Sequence, residues 1–216
     1  MTLTAKSRLI IALDVTDRAQ ALSISEKLGS AVDAIKINYP LVLASGLDII
    51  GDIKKYANVI ADFKVADIPN TNTLICQETF SAGADAIICQ GFVGQDSVKA
   101  CVDVADRFKG DVFVVTEMSH PGAVDFLQPH AFELVEIAIS SGASGIIAPA
   151  TRPERLAEIR RRAGGLKILS PGVGAQGGDA RKAIQAGADF VIVGRSIYNA
   201  KDPYGAALNF IEQLRR

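Results

Sequence analysis

The sequence predicts a single-domain (β/α)8 barrel that covers residues 1–216. Short apolar runs alternate with longer helix-forming stretches along the chain, which is typical of parallel strands joined by helical crossovers. Eight such units would occupy about 27 residues each, a compact version of the TIM barrel. No low-complexity linker or change of composition divides the chain, so one domain is expected.

The predicted strands are short and rich in β-branched residues. In chain order they cover residues 8–14, 34–37, 58–64, 85–90, 111–118, 145–149, 167–171 and 189–194. Each is followed by a stretch able to form a helix. Asp17 and Asp179 are predicted to cap two of these helices at their N-termini. Glycines are predicted to end four helices, at Gly29, Gly83, Gly142 and Gly187.

A weak internal repeat supports the eightfold count. The segments 81–88, 140–147 and 185–192 read SAGADAII, SSGASGII and QAGADFVI, and each places a glycine turn before a buried strand. An open doubly wound sheet is the alternative architecture. The first strand ends in LDVTDRA, without the GxGxxG loop of a dinucleotide-binding sheet, which argues against that alternative.

The composition argues against several classes of protein. Apolar residues make up 49% of the chain and the net charge is −1, so neither disorder nor a nucleic-acid surface is expected. The three arginines at 160–162 are interpreted as a solvated helix face. No apolar run approaches the ~18 residues of a membrane helix, and the N-terminal apolar run is too short for a signal peptide. No membrane association is therefore expected.

The cysteines and histidines give no sign of a disulfide framework or a metal site. Cys76, Cys89 and Cys101 form no CxxC pair and cannot all pair with one another, so a reducing cytoplasm is the expected location. His120 and His130 have no partner at metal-ligand spacing, so no metal is expected.

Charged residues stand at the C-terminal ends of the first three predicted strands. Asp62 and Lys64 share one face of strand three, because alternate residues of a strand point the same way. Asp14 and Lys36 end strands one and two, and Asp67 follows strand three in the loop. Barrel enzymes carry their active sites at this end, so the charges are expected to converge on one mouth. Structural ion pairs are the alternative, but burying charges costs several kcal/mol per ion, and an array of alternating sign favours catalytic machinery.

The last two strands lead into glycine-rich loops, SPGVGAQGGDA at 170–180 and VGRSIY at 193–198. Loops at these positions often bind phosphate in barrels, because glycine lets backbone N–H groups approach the phosphate oxygens. Arg195, directly after Gly194, can clamp a phosphate with two hydrogen bonds. Gln176 lies in the first loop, within reach of an oxygen when that loop closes. A purely turn-forming role for the glycines is the alternative.

Ser119 lies just past predicted strand five, at the same end of the barrel. Its context, TEMSHPG, is not a GxSxG elbow, and no catalytic triad suggests itself. The hydroxyl is expected to contact a substrate, with local capping as the alternative.

Several motifs together resemble the orotidine 5′-monophosphate decarboxylase family, especially its compact microbial branch. They are LDV at 13–15, KINYPLVL at 36–43, DFKVADIPNT at 62–71, MSHPGA at 118–123, APATRPERL at 148–156, SPGVGAQGG at 170–178 and VGRSIY at 193–198. Related sugar-phosphate enzymes share the DxKxxD core, whereas the combination of DxKxxDIPNT, MSHPG and PGVGAQGG is highly specific. The resemblance implies cofactor-free conversion of orotidine 5′-monophosphate to uridine 5′-monophosphate in pyrimidine biosynthesis.

The resemblance also implies roles for individual residues. Lys64 is implied as the acid that protonates the C6 carbanion, with Asp62 near the departing carboxylate and Lys36 completing the charge network. A homodimer is implied in which Asp67, Ile68 and Thr71 reach the partner's site, with Asp67 joining the charge network there. The implied substrate contacts are Asp14 at the ribose, Ser119 and Pro171 at the pyrimidine, and Gln176, Gly194 and Arg195 at the phosphate.

Asn38 departs from the family pattern, because many relatives have glycine there. Asparagine tolerates a left-handed backbone better than most residues, so the local turn is expected to survive. No functional role is expected for Asn38.

Two other functions stay open. A metal-dependent lyase acting on a sugar phosphate resembles this chain in its core, but such relatives carry an acidic metal ligand at the end of strand two. Here that position is Lys36, a cation that would repel Mg²⁺. A non-catalytic nucleotide-binding barrel is the second, but it would gain nothing from burying Asp62 beside an anionic ligand.

Overall fold

Eight short apolar strands pair in chain order into a closed barrel of parallel strands. The computed structural model describes residues 3–215. The strands are β1 (Leu9–Ala12), β2 (Ala34–Ile37), β3 (Val59–Val65), β4 (Ala86–Gln90), β5 (Asp111–Val115), β6 (Gly145–Ile147), β7 (Lys167–Pro171) and β8 (Phe190–Val193). Pairing of Leu9 with Val191 joins β8 to β1 and closes the ring. The predicted (β/α)8 barrel is confirmed, while residues 1, 2 and 216 of the predicted domain lie outside the described part.

Helices cover the outside of the barrel, and each crossover between strands contains at least one. They are α1 (Arg18–Leu28), α2 (Tyr39–Ser45), α3 (Ile49–Lys54), α4 (Pro69–Ser81), α5 (Gln95–Phe108), α6 (Ala123–Phe126), α7 (Ala131–Ser141), α8 (Pro153–Ala163), α9 (Ala180–Gln185), α10 (Arg195–Tyr198) and α11 (Pro203–Arg215). A 3-10 turn, Gln128–His130, precedes α7. Within residues 3–215, none of these helices has the length and apolar character needed to cross a membrane.

Several strands end earlier at the mouth of the barrel than the sequence pattern predicts. β1 ends at Ala12, β5 at Val115 and β6 at Ile147, rather than at residues 14, 118 and 149. Single backbone hydrogen bonds persist beyond these points, such as that from Leu13 N to Lys36 O at 2.8 Å, but the regular ladder has stopped. Asp14 therefore follows β1 instead of belonging to it.

The predicted helix caps are present, but one of the four predicted glycines is required for a different reason from the other three. The side chains of Asp17 and Asp179 accept hydrogen bonds from backbone N–H groups three residues on, at 2.7 and 2.8 Å. Three of the predicted glycines have left-handed backbones, as expected: Gly83, Gly142 and Gly187. Gly29 instead has a right-handed backbone at φ −56°. A Cβ there would lie 2.4 Å from Tyr56 O, so close packing and not a left-handed turn requires glycine.

Alternate strand residues fill the barrel interior, as the period of a strand requires. In β1, Ile10 and Ala12 point inward, while Leu9 and Ile11 pack against the helices. The interior cluster consists of Leu3, Ile10, Ala12, Ala34, Ile60, Ala86, Ile88, Phe113, Val115, Ile147, Leu169, Phe190 and Ile192. It supports the cavity that opens at the carboxyl end of the strands.

The amino end of the barrel is closed by the segment before β1. Leu3 belongs to the interior cluster, and its backbone N–H donates to Asp111 Oδ2 at 2.9 Å. Lys167 Nζ donates to the backbone carbonyl of Leu3 at 2.6 Å. The interior is therefore covered at this end and accessible at the other.

Candidate active site

A cavity of about 430 Å³ opens at the carboxyl end of the barrel, within the size range of small-molecule sites. Every strand, or the loop after it, contributes to its lining. The lining includes nine of the residues predicted for the site: Asp14, Lys36, Asp62, Lys64, Ser119, Pro171, Gln176, Gly194 and Arg195. The barrel thus brings together side chains that lie up to 181 positions apart in the sequence, from 14 to 195.

Four charged side chains form a continuous array of alternating sign along one side of the cavity. Asp62 occupies the centre, since Lys36 Nζ lies 2.7 Å from one of its carboxylate oxygens and Lys64 Nζ lies 2.9 Å from the other. Asp14 extends the array, with Oδ1 3.9 Å from Lys36 Nζ. Two carboxylates and two ammonium groups leave the array with no formal net charge.

The inner half of this array is buried and the outer half faces the cavity. The side chains of Lys36 and Asp62 are 7% and 9% exposed, whereas that of Lys64 is 35% exposed. Burial opposes the charge on Lys36, but Asp62 and Asp14 outweigh it and raise its pKa above the ordinary value. Burial likewise opposes the charge on Asp62, but Lys36 and Lys64 outweigh it and lower the pKa of that carboxyl. Both groups are therefore held in their charged forms.

The backbone of β3 is irregular where it presents Lys64. Lys64 has φ 45°, in the left-handed region that residues with a Cβ rarely adopt. The register between β3 and β4 shifts between Ala61 and Val65. The predicted alternation of side chains along β3 therefore holds as far as Asp62, and a bulge presents Lys64 to the cavity. Backbone strain of this kind is concentrated at functional sites.

The far side of the cavity is built from the loop after β7 and the turn after β8. Gly172, Gly174 and Gly177 all have positive φ, and Gly174 N donates to Gly178 O at 3.0 Å to tie the loop together. Ser196 Oγ accepts a hydrogen bond from Ala175 N at 3.0 Å, which connects this loop to α10. Gln176 from the loop and Arg195 from α10 both line the cavity. This side therefore offers a guanidinium, an amide and glycine backbone.

A buried carboxylate that sequence reasoning missed anchors the segment carrying Ser119. Glu117, at 0% exposure, accepts hydrogen bonds from Arg152 Nε at 2.7 Å and Arg155 Nε at 3.3 Å. Arg152 also donates to the carbonyl of Met118, and Thr151 Oγ1 donates to that of Ser119 at 3.4 Å. The glutamate in TEMSHPG and the arginines in APATRPERL were visible in the sequence, but nothing in either motif indicated that they pair.

Three predicted site residues do not line the cavity of their own chain: Asp67, Ile68 and Thr71. The Asp67 carboxylate accepts from Ile68 N at 2.7 Å, and Ser97 Oγ donates to Asp67 O at 2.8 Å. These bonds hold the start of α4 with the Ile68 side chain 64% exposed. The segment faces outward from the chain that carries it.

Of the other residues that line the cavity, two have polar side chains for which no role was predicted, Asn38 and His120. Asn38 has an extended backbone with φ −139°, so the tolerance of asparagine for a left-handed conformation is not used here. Within residues 3–215, no cluster of three or more His, Cys, Asp or Glu side chains is arranged to hold a metal ion.

Comparison with known proteins identifies the relatives of this chain. Residues 7–210 match the model of the Orotidine 5'-phosphate decarboxylase / HUMPS family. A protein named orotidine 5'-phosphate decarboxylase from Methanosarcina mazei is 59% identical over 96% of this chain and 94% of its own length. One of the same name from Thermococcus kodakarensis is 53% identical over 97% of each chain.

Solved structures agree with the sequence relatives. The crystal structure of orotidine 5'-monophosphate decarboxylase from Methanocaldococcus jannaschii, complexed with the inhibitor BMP, superposes with a TM-score of 0.92 at 51% identity, covering 96% of this chain and 98% of that one. The enzyme from Pyrococcus horikoshii superposes with a TM-score of 0.89 at 46% identity, covering 96% and 99%. This chain therefore belongs to the orotidine 5′-phosphate decarboxylase / HUMPS family.

Proposed function

We propose that this chain decarboxylates orotidine 5′-monophosphate to uridine 5′-monophosphate in de novo pyrimidine biosynthesis, with Lys64 as the proton donor and without metal or cofactor. Family membership and relatives named for this activity make the chain a carboxy-lyase. The observation that carries the mechanism is the Lys36–Asp62–Lys64 array at the cavity wall. It puts an ammonium group beside a carboxylate where a ligand can reach both.

The chemistry requires a positive charge at the reacting carbon. When the bond between C6 and the carboxylate breaks, CO2 leaves and the electron pair stays on C6 as a poorly delocalised carbanion. A fixed ammonium stabilises that charge through preorganised electrostatics. Lys64 Nζ then transfers a proton to C6, which yields uridine 5′-monophosphate, and the neutral amine regains a proton from solvent.

The other groups around the cavity have complementary tasks in this proposal. Asp62 lies near the departing carboxylate and orients Lys64, while Lys36 keeps Asp62 ionised. The remaining contacts are Asp14 at the ribose, Ser119 and Pro171 at the pyrimidine, and Gln176, Gly194 and Arg195 at the phosphate. Phosphate binding drives closure of the 170–180 loop, so that binding energy released far from C6 lowers the barrier there.

The active unit in this proposal is a homodimer in which each cavity is completed by the partner's copy of the start of α4. Asp67, Ile68 and Thr71 lie outside their own cavity, and Ile68 exposes most of its apolar surface. Other exposed apolar side chains near the same end of the barrel, Leu43 and Phe92, add surface that a partner can bury.

Mixing two inactive variants tests the shared site. Lys64→Ala and Asp67→Ala are each expected to be inactive. Equal amounts, unfolded and refolded together, should regain up to about a quarter of the original activity, because half of the dimers are mixed and each has one intact site. Lack of recovery, with mixed dimers shown to form, would contradict the shared site.

The expected location is a reducing cytoplasm. All three cysteines are buried free thiols, and no disulfide joins them. Buried, unpaired thiols are typical of proteins kept in a reducing environment.

Loss of orotidylate followed by ultraviolet absorbance tests the activity directly. Turnover is expected to be unaffected by EDTA, and a sugar phosphate offered in place of orotidylate is expected to remain unchanged. Turnover of a sugar phosphate that EDTA abolishes would instead favour the metal-dependent lyase. Binding of uridine 5′-monophosphate without any turnover of orotidylate would favour the non-catalytic barrel.

A further inference from the structure

One hydrogen bond ties the tip of the 170–180 loop, residues 173–178, to the rest of the barrel. It is donated by Ala175 N to Ser196 Oγ at 3.0 Å. In the part of the chain that the structure describes, the other hydrogen bonds of the loop tip stay within the loop. The Ser196 hydroxyl is therefore the one polar anchor of the loop tip among these residues.

This bond joins the immediate neighbours of two residues proposed to hold the phosphate. Ala175 directly precedes Gln176, and Ser196 directly follows Arg195. Gln176 and Arg195 both line the cavity, but they come from different elements, the 170–180 loop and α10. Their relative position depends on how the loop lies on that helix. The bond is one residue away from each of them and fixes this relation.

The loop also packs closely against Ser196. A Cβ added at Gly174 would lie 2.5 Å from Ser196 Oγ and 3.5 Å from the ring of Phe210 on α11. On the other side of the contact, Ile197 is fully buried and anchors α10 in the core. Ser196 is therefore a fixed point, and the loop is the element that docks on it.

The loop tip has little else to order it. Four of the eleven residues from 170 to 180 are glycine, which loses more conformational freedom on ordering than any other residue. Ala175, Gln176 and Gly177 are exposed, so burial contributes little to holding the tip. A single hydrogen bond can shift an equilibrium of this kind by about tenfold.

We propose that Ser196 is a positioning residue whose hydroxyl holds the 170–180 loop on α10, so that the Gln176 amide and the Arg195 guanidinium are presented together to a phosphate. This inference rests on the proposed function, since it takes a phosphorylated nucleotide as the ligand. Preorganisation reduces the ordering cost of binding, so Ser196 raises the affinity for the nucleotide through the loop.

Ligands with and without a phosphate test this role. For Ser196→Ala, calorimetry is expected to show about tenfold weaker binding of uridine 5′-monophosphate and unchanged binding of uridine, which has no phosphate for the loop to hold. Ser140→Ala on α7 is the control, because the Ser140 hydroxyl donates to Ile137 O at 3.2 Å within its own helix and should affect neither ligand. Equal losses for both ligands, or no loss for the nucleotide, would overturn the proposal.

Combining Ser196→Ala with Gln176→Ala tests whether the serine acts through the loop. If it does, Ser196→Ala should cause no further loss once the Gln176 side chain is absent. The double variant should then bind uridine 5′-monophosphate as weakly as Gln176→Ala alone. Fully additive losses would show that Ser196 acts independently of Gln176 and would contradict the positioning role.

These binding measurements need no turnover, so they separate this inference from the proposed function. An original chain that shows the Ser196 effect but leaves orotidylate intact would count against the proposed function and not against Ser196. An original chain that binds uridine as tightly as uridine 5′-monophosphate would refute the phosphate site itself, and the role of Ser196 with it.

Discussion

The two lysines of the array differ in burial and in partners, and this difference supports the separate tasks proposed for them. Lys36 is buried, hydrogen-bonded to Asp62 and close to Asp14, so its proton is held firmly. Lys64 has Asp62 as its partner and keeps about a third of its side chain exposed to the cavity. A proton donor must contact the substrate, and of the two lysines Lys64 is the more exposed to the cavity, which favours it for the proposed role.

Replacing Lys64 with alanine should abolish turnover while the nucleotide still binds. We expect kcat to fall at least about a thousandfold, because both the charge at C6 and the proton donor are lost. Calorimetry should still detect binding of uridine 5′-monophosphate. Lys99→Ala on α5 is the matched control, because Lys99 pairs with Asp103 at the surface and should leave kcat unchanged. Substantial turnover by Lys64→Ala would remove Lys64 from the mechanism.

Replacing Arg195 with alanine tests whether a group remote from C6 contributes to catalysis. We expect Arg195→Ala to lower kcat/KM at least about a hundredfold, because a charge-assisted, two-point contact to phosphate is lost. Steady-state kinetics on orotidylate measures this. Arg161→Ala, an exposed arginine on α8, provides the control. A value close to that of the original chain would place the phosphate elsewhere.

At the level of single elements, the crossovers set how closely helices approach the barrel. The end of α1 packs against the chain between α3 and β3, where Gly29 meets the backbone carbonyl of Tyr56. A Cβ added at residue 29 would clash with this carbonyl. Because the positions of a Cβ and a carbonyl are both fixed by the backbone, rotating a side chain cannot relieve the clash. The absence of a side chain at Gly29 therefore permits this close approach of α1.

Gly29→Ala should destabilise the protein by about 1–3 kcal/mol, the usual cost of overpacking. The added Cβ would lie 2.4 Å from Tyr56 O and 2.9 Å from Ser25 O. Gly165→Ala is the control, since nothing lies within 4 Å of a Cβ there. Urea unfolding of both variants gives the comparison. Equal stability of the two would show that the α1 contact adapts freely.

For the whole molecule, the charge array links stability to pH. Asp62 has a folded pKa below the ordinary 3.8, so it stabilises the fold above pH 3.8 and loses this contribution as the pH falls through the lower folded value. Lys36 has a folded pKa above the ordinary 10.5, so it stabilises the fold below pH 10.5 and loses this contribution as the pH rises through the higher folded value. Lys36 and Asp62 should therefore both make their full contribution to stability between these limits.

Asp62→Asn tests this dependence. The difference in unfolding free energy between the original chain and the variant should be constant around neutral pH and shrink as the pH falls below 3.8. Denaturant unfolding at a series of pH values measures it, with Asp106→Asn at an exposed position of α5 as the control. A difference that stays constant far below pH 3.8 would show that the carboxylate charge is not its source.

Sequence patterns were sufficient to predict the barrel fold and the convergence of its charged side chains at one end. Strand and helix periods are local properties, and parallel strands in chain order must bring their carboxyl ends to one mouth. Asp14, Lys36 and Asp62 could therefore be grouped from their positions alone. The helix caps at Asp17 and Asp179 were predictable for the same reason, since a cap involves only its own turn.

Other features depended on contacts between residues far apart in the chain, which local periodicity does not encode. The bulge at Lys64 reflects the register between β3 and β4, and the need for glycine at 29 reflects the approach of Tyr56. The pairing of Glu117 with Arg152 joins residues 35 positions apart. The amide oxygen of Asn38 has no hydrogen-bond partner among residues 3–215, which becomes apparent only when the donors around it have been placed. Residue types and their spacing thus determined the architecture and the charges, whereas packing in three dimensions decided how each side chain is presented.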